Sequence, residues 1–114
     1  MQPSEFLYVA QQLLVDTEAG LRTSISRSYY SQFLALRDKL IAKGYSEPTD
    51  NQSVHAALRK ELVSRGYRSV ARKLDNLRVK RVDADYNLTK MIIRKDANMA
   101  YGLALEIEGL VRKL

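Results

Sequence analysis

The feature that most constrains this chain is a helical period that recurs along it and never gives way to strand-like alternation. In the last quarter, Ile93, Ala97, Ala100, Ala104, Ile107, Val111 and Leu114 follow one another at steps of four and three without a miss. Each such step returns a side chain to the same face of a helix, so a segment from about Ile93 to Lys113 carries one narrow apolar stripe. Its small residues let a neighbouring helix approach closely.

Four more segments carry the same period. The first runs from roughly Ser4 to Thr17, with Ser4 as N-cap, Phe6, Val9 and Leu13 on one stripe, and Gly20 as its stop or kink. The second, roughly Leu21 to Lys43, places Leu21, Ile25, Tyr29, Phe33, Leu36 and Leu40 in register, and Gly44 stops it. After a polar loop from Tyr45 to Asn51, a short helix from about Gln52 to Ser64 aligns Val54, Leu58 and Leu62 and closes at Gly66. The fourth spans about Tyr67 to Val82, and the stretch from Asp83 to Leu88 has no clear period. The expected architecture is all-α, an up-and-down bundle of four to five helices forming one domain over residues 1–114.

Composition narrows the function classes. No apolar run reaches the ~20 residues of a membrane span, and the start Met1-Gln2-Pro3-Ser4-Glu5 lacks the basic opening of a secretion signal, so a cytoplasmic protein without a membrane partner is expected. There is no cysteine and one histidine, His55, which leaves no disulfide and no thiolate metal site; no metal or other cofactor is expected. No Gly-rich phosphate loop or calcium loop occurs.

The net charge of +6 is unevenly placed. Between Arg59 and Arg81 there are nine basic residues against two acidic ones. On the fourth helix, Tyr67, Val70, Ala71, Leu74 and Leu77 share one arc, while Arg68, Arg72, Lys73 and Lys80 lie across the opposite side. That basic face reads as a solvated surface or as a track for a nucleic-acid backbone. Arg78 and Arg81 depart from the division, because both project into the apolar arc, where an arginine needs a carboxylate or carbonyl partner.

The constellation of Arg78, Arg81, Asp83, Asp85 and Tyr86 therefore stands out, with two readings. In one, Arg81 forms a structural ion pair with Asp83 or Asp85 that pins the turn into the last helix. In the other, the arginines floor a cleft that binds phosphate or RNA. Tyr29 and Tyr30 read as core wall with hydroxyls in need of partners. His55 has no second histidine or nucleophile beside it in sequence and reads as a surface or loop-packing residue. Ser24, Ser26, Ser28 and Ser31 lack a nearby histidine base and are not read as nucleophiles.

Two segments resemble the HEPN family. Ser26-Arg27-Ser28-Tyr29-Tyr30-Ser31-Gln32-Phe33 followed by Leu36-Arg37 is similar to its second-helix pattern, and Arg81-Val82-Asp83-Ala84-Asp85-Tyr86 resembles its second signature, an arginine followed by an Ala-Asp-Tyr turn. The resemblance covers roughly Leu21 to Leu114. It implies a helical bundle that commonly pairs as a homodimer, with the arginine signatures of two protomers meeting across a cleft. Many members are metal-independent endoribonucleases in toxin–antitoxin, CRISPR-associated or anti-phage systems, with an arginine, a polar residue and then a histidine as the catalytic motif.

Here Val82 stands in place of the polar residue and Tyr86 in place of the histidine. A phenol with an ordinary pKa near ~10 is a poor general base at neutral pH. The resemblance thus implies a dimeric module that binds RNA, a nucleotide or a partner protein around Arg81, with Arg78, Asp83, Asp85, Arg27 and Tyr30 as binding residues, beside a nucleotidyltransferase or nuclease of the same locus. It leaves open an active endoribonuclease that uses Arg81 with Tyr86 and Asp83 or Asp85. It also leaves open Tyr86 as a target of nucleotidylation. A third reading, which needs no resemblance, is a structural scaffold that dimerises through the alanine-rich last helix.

Overall fold

A computed structural model describes residues 1–15, 17–50 and 53–114. Five helices follow one another, α1 (Pro3–Gln12), α2 (Glu18–Ile41), α3 (Val54–Ser64), α4 (Arg68–Tyr86) and α5 (Arg94–Val111), and among the described residues there is no strand. The chain is an all-α bundle, as its periodicity implies. The long α2 is the central element, packed against α1, α4 and α5, while α3 packs on α4.

The α2 face explains that position. Tyr29, Ile25, Leu36 and Leu40 are completely enclosed, and so are the small polar residues Ser24, Ser28 and Ser31. Serines at these steps hold no neighbour at a distance, and Ser24 Oγ donates to the Ala10 carbonyl of α1 at 2.7 Å, which fixes the first two helices together. On α5, Ala97, Ala100, Ala104 and Ile107 have no exposed surface. The alanine stripe is therefore covered within the chain, by packing on α2 and α4.

Several boundaries differ from those expected. α1 begins two residues earlier, with Gln2 rather than Ser4 as N-cap and its backbone N–H donating to the Glu5 carboxylate, and it ends at Gln12 instead of Thr17. Gly20 neither stops nor kinks α1. It lies in the first turn of α2, where its N–H donates to Thr17 Oγ1 at 3.2 Å, and a Cβ at this position would sit 2.7 Å from that oxygen and 2.8 Å from Val15 Cγ2. Glycine is required by the close approach of the capping turn, not by helix breaking.

Gly44 and Gly66 do end helices, with φ of 101° and 87°. At each the chain makes the paired reverse bonds of a left-handed C-terminal cap: Tyr45 to the Leu40 carbonyl and Gly44 to Ile41, then Tyr67 to Leu62 and Gly66 to Val63. The α3 helix starts at Val54, capped by Ser53 Oγ accepting from the Ala56 N–H. The expected start at Gln52 and the loop end at Asn51 lie outside the described residues, as does Asp16.

The main correction concerns Asp83 to Leu88. This stretch shows no period, yet α4 continues through Tyr86. The reason lies on another helix. Arg22 of α2 reaches the end of α4 and donates through Nη1 to the carbonyls of Asp83 (3.3 Å), Ala84 (3.0 Å) and Asn87 (3.2 Å), while Nη2 is held by Glu18 at 2.9 Å and also donates to the Lys90 carbonyl. The orphan carbonyls of a helix end need such donors, and a guanidinium supplies several from one point.

Candidate functional site

The extension of α4 brings Arg81 and Asp85 one helical turn apart on the same face. Arg81 is buried, with 8% of its surface exposed, and its Nη1 donates to Asp85 Oδ2 at 3.2 Å. Ser26 Oγ of α2 donates to the same oxygen at 3.3 Å, so Asp85 is gripped from both helices. The guanidinium carbon lies 5.6 Å from the ring centre of Tyr29, 5.5 Å from that of Tyr30 and 5.6 Å from that of Tyr86. Three ring faces therefore supply the attraction that water would otherwise give. Burial alone would lower the pKa of Arg81, but Tyr30 and the hydrogen bond that Arg81 donates to Asp85 outweigh it and hold the group above its usual value.

This arrangement is closed. Nε of Arg81 is buried and has no hydrogen-bond partner among the described residues, while the Tyr86 ring beside it remains 73% exposed. The ion pair of Arg81 is with Asp85. Asp83 is not part of it, because its carboxylate turns outward to Lys90 Nζ at 2.8 Å, a contact that lowers its pKa.

Of the remaining residues expected at the site, Tyr30 lies under Arg81. Arg27 does not join it; it sits over the Phe6 ring of α1, 5.5 Å from the ring centre. Arg78 also leaves the cluster. Three residues before Arg81 it faces α3 instead, and its Nε donates to Asp75 Oδ1 at 3.3 Å. Arg59 of α3 donates to that same oxygen at 2.9 Å.

Between α3 and α4 these residues border an open cleft of about 220 Å³, with Ser53, His55, Leu74 and Tyr29 among its other walls. The sequence reads His55 as a surface or loop-packing residue, but its ring is half-buried against α2, because its partners are distant along the chain. Tyr29 Oη stands 2.6 Å from His55 Nδ1, and the imidazole packs on Phe33 with ring centres 4.5 Å apart. Burial lowers the His55 pKa, reinforced by Arg81 and Arg78. Burial likewise pushes the Tyr29 hydroxyl far above the ordinary phenol range, with Arg81 drawing it partly back. Both groups are neutral at pH 7, and the bond between them is an uncharged one. The sequence signal for it is the in-register Tyr29 on α2 and the lone histidine at the second position of α3.

The molecule thus separates what the sequence grouped: a closed arginine cluster at Arg81, and an open arginine cleft at Arg78 with Tyr29 as their shared wall. Among the described residues no cluster of histidine, aspartate and glutamate could hold a metal ion, and no helix is long and apolar enough to cross a membrane. No curated protein and no solved structure matches the chain. A family model described as the HEPN domain matches residues 3–114, taking in α1 as well as the helices that carry the two signatures. The chain belongs to the HEPN domain family.

Proposed function

We propose that this protein is a binding module of a toxin–antitoxin or anti-phage defence system, which acts as a homodimer, holds RNA or a nucleotide, and does not cleave by the chemistry usual for HEPN ribonucleases. The family assignment supports the setting. The closure of Arg81 carries the rest. A catalytic arginine must reach a phosphate as charge develops on it, whereas this one is buried, paired to Asp85 and enclosed by three tyrosine rings.

Among the described residues, the carboxylates beside it are engaged. Asp85 is taken by Arg81 and Ser26, Asp83 by Lys90, and Tyr86 is a phenol. What Arg81 does supply is an ion pair to Asp85 near the end of α4. Around that end Tyr86, Leu88 and Met91 are each more than 70% exposed and follow closely in sequence, an apolar cluster suited to a second copy of the chain.

The test uses fluorescence anisotropy with a labelled single-stranded RNA, calorimetry with AMP, and light scattering of the protein alone. Binding of either ligand by a dimer that a Leu88→Glu exchange dissociates is the expected result. A monomer indifferent to both ligands would overturn the proposal.

A further inference from the structure

Arg59 and Arg78 come from different helices yet converge on a single carboxylate oxygen of Asp75. One negative charge between two guanidiniums leaves an excess of one positive charge at the cleft, and most of their ten N–H donors are unused, since among the described residues both arginines bond to Asp75 alone. Neither is deeply enclosed; the side chains are 47% and 37% exposed. Ser53 and His55, from the first turn of α3, form the adjoining wall, where the helix carries its partial positive charge. Leu74 and Tyr29 are also among the lining, both almost fully buried.

We infer that the cleft between α3 and α4 binds a phosphate group of a nucleotide or an RNA strand, bridged by Arg59 and Arg78. This inference rests on the binding reading above and locates its ligand. The chemistry fits an oxyanion better than a neutral ligand, because guanidinium forks on two sides can each give parallel hydrogen bonds to a tetrahedral phosphate. The size sets an upper limit. At about 220 Å³ the cleft is smaller than the ~300–1,000 Å³ of sites for drug-sized ligands, so it takes one phosphate with part of its nucleoside while the rest of the ligand stays outside.

Asp75 gives the cleft a second, opposite handle. Its carboxylate positions both arginines and also repels the phosphate, so neutralising it strengthens binding while removing either arginine weakens it. What sets the cleft apart from a merely solvated basic face is a larger loss for Arg59 or Arg78 than for an exposed arginine elsewhere.

The experiment measures binding of a labelled single-stranded RNA by anisotropy and of AMP by calorimetry, for the wild-type chain and four variants checked for folding by circular dichroism. Arg59→Ala and Arg78→Ala are each expected to weaken binding about tenfold. Asp75→Asn is expected to tighten it, and Arg72→Ala, which removes the same charge from an exposed position outside the cleft, to leave it within about twofold. Inorganic phosphate displaces the ligand, whereas acetate at equal ionic strength does not. If AMP binds in this pattern and RNA does not, the phosphate is that of a free nucleotide; the reverse assigns it to a strand. Wild-type binding that Arg59→Ala, Arg78→Ala and Arg72→Ala reduce alike overturns the cleft and leaves the binding function standing. Absence of wild-type binding to either ligand overturns both.

Discussion

A guanidinium enclosed in a helical bundle must be paired or stacked, and Arg81 is both. Removing it strands the Asp85 carboxylate and opens a gap among three rings. Arg81→Ala is therefore expected to cost about 3 kcal/mol in urea unfolding, and Asp85→Asn less, because the rings remain. His55 gives a residue-scale prediction with a defined sign. Its folded pKa lies below the ordinary value of 6.5 because burial disfavours the charged ring. The unfolded chain then binds the proton more readily, so stability falls as pH drops below about 6.5, and continues to fall until the folded pKa is passed. Melting temperatures of wild type and His55→Gln should converge between about pH 7 and about pH 5; a constant difference would show that His55 is not held neutral. That Arg81 lies on the core-facing arc is visible from its spacing to Leu74 and Leu77. The Tyr29–His55 pair is not, since those residues meet across 26 positions and a loop.

At the scale of the element, the least legible feature is the end of α4. Asp83, Ala84, Asp85 and Tyr86 have no apolar rhythm, and the donors that keep them helical come from Arg22, more than sixty positions away. A local pattern cannot reveal a distant cap. Arg22→Ala is expected to fray this helix end, at a cost of about 2 kcal/mol, with faster amide exchange in Asp83 to Asn87 than in the rest of α4. Gly20 was visible as punctuation, but its function was the reverse of a stop. Gly20→Ala should push against Thr17 Oγ1 and Val15 and weaken the α2 cap by about 1 kcal/mol, seen as a lower melting temperature. By contrast, the Gly44 and Gly66 stops and the stripes of α2 and α5 follow directly from residue type and period.

For the whole molecule, the all-α bundle was legible because its stripes are long and its breaks short, and because the alanine and serine faces of α5 and α2 permit close packing. Ala104 has no exposed surface, so Ala104→Glu places a charge inside the bundle; it is expected to unfold the chain by more than about 3 kcal/mol rather than only to separate protomers. The partition of the arginines was not legible, since Arg78 and Arg81 lie one turn apart on α4 and only the positions of α2 and α3 send one to a closed cluster and the other to an open cleft. Under the proposed function, Arg81 supports the fold and takes no part in RNA cleavage. The most direct test of this is incubation of the protein with a panel of single-stranded RNAs in the presence of a chelator, with products resolved on a denaturing gel. The account predicts intact RNA at every time for wild type and Arg81→Lys alike; cleavage by the wild type that disappears in a folded Arg81→Lys variant would contradict it.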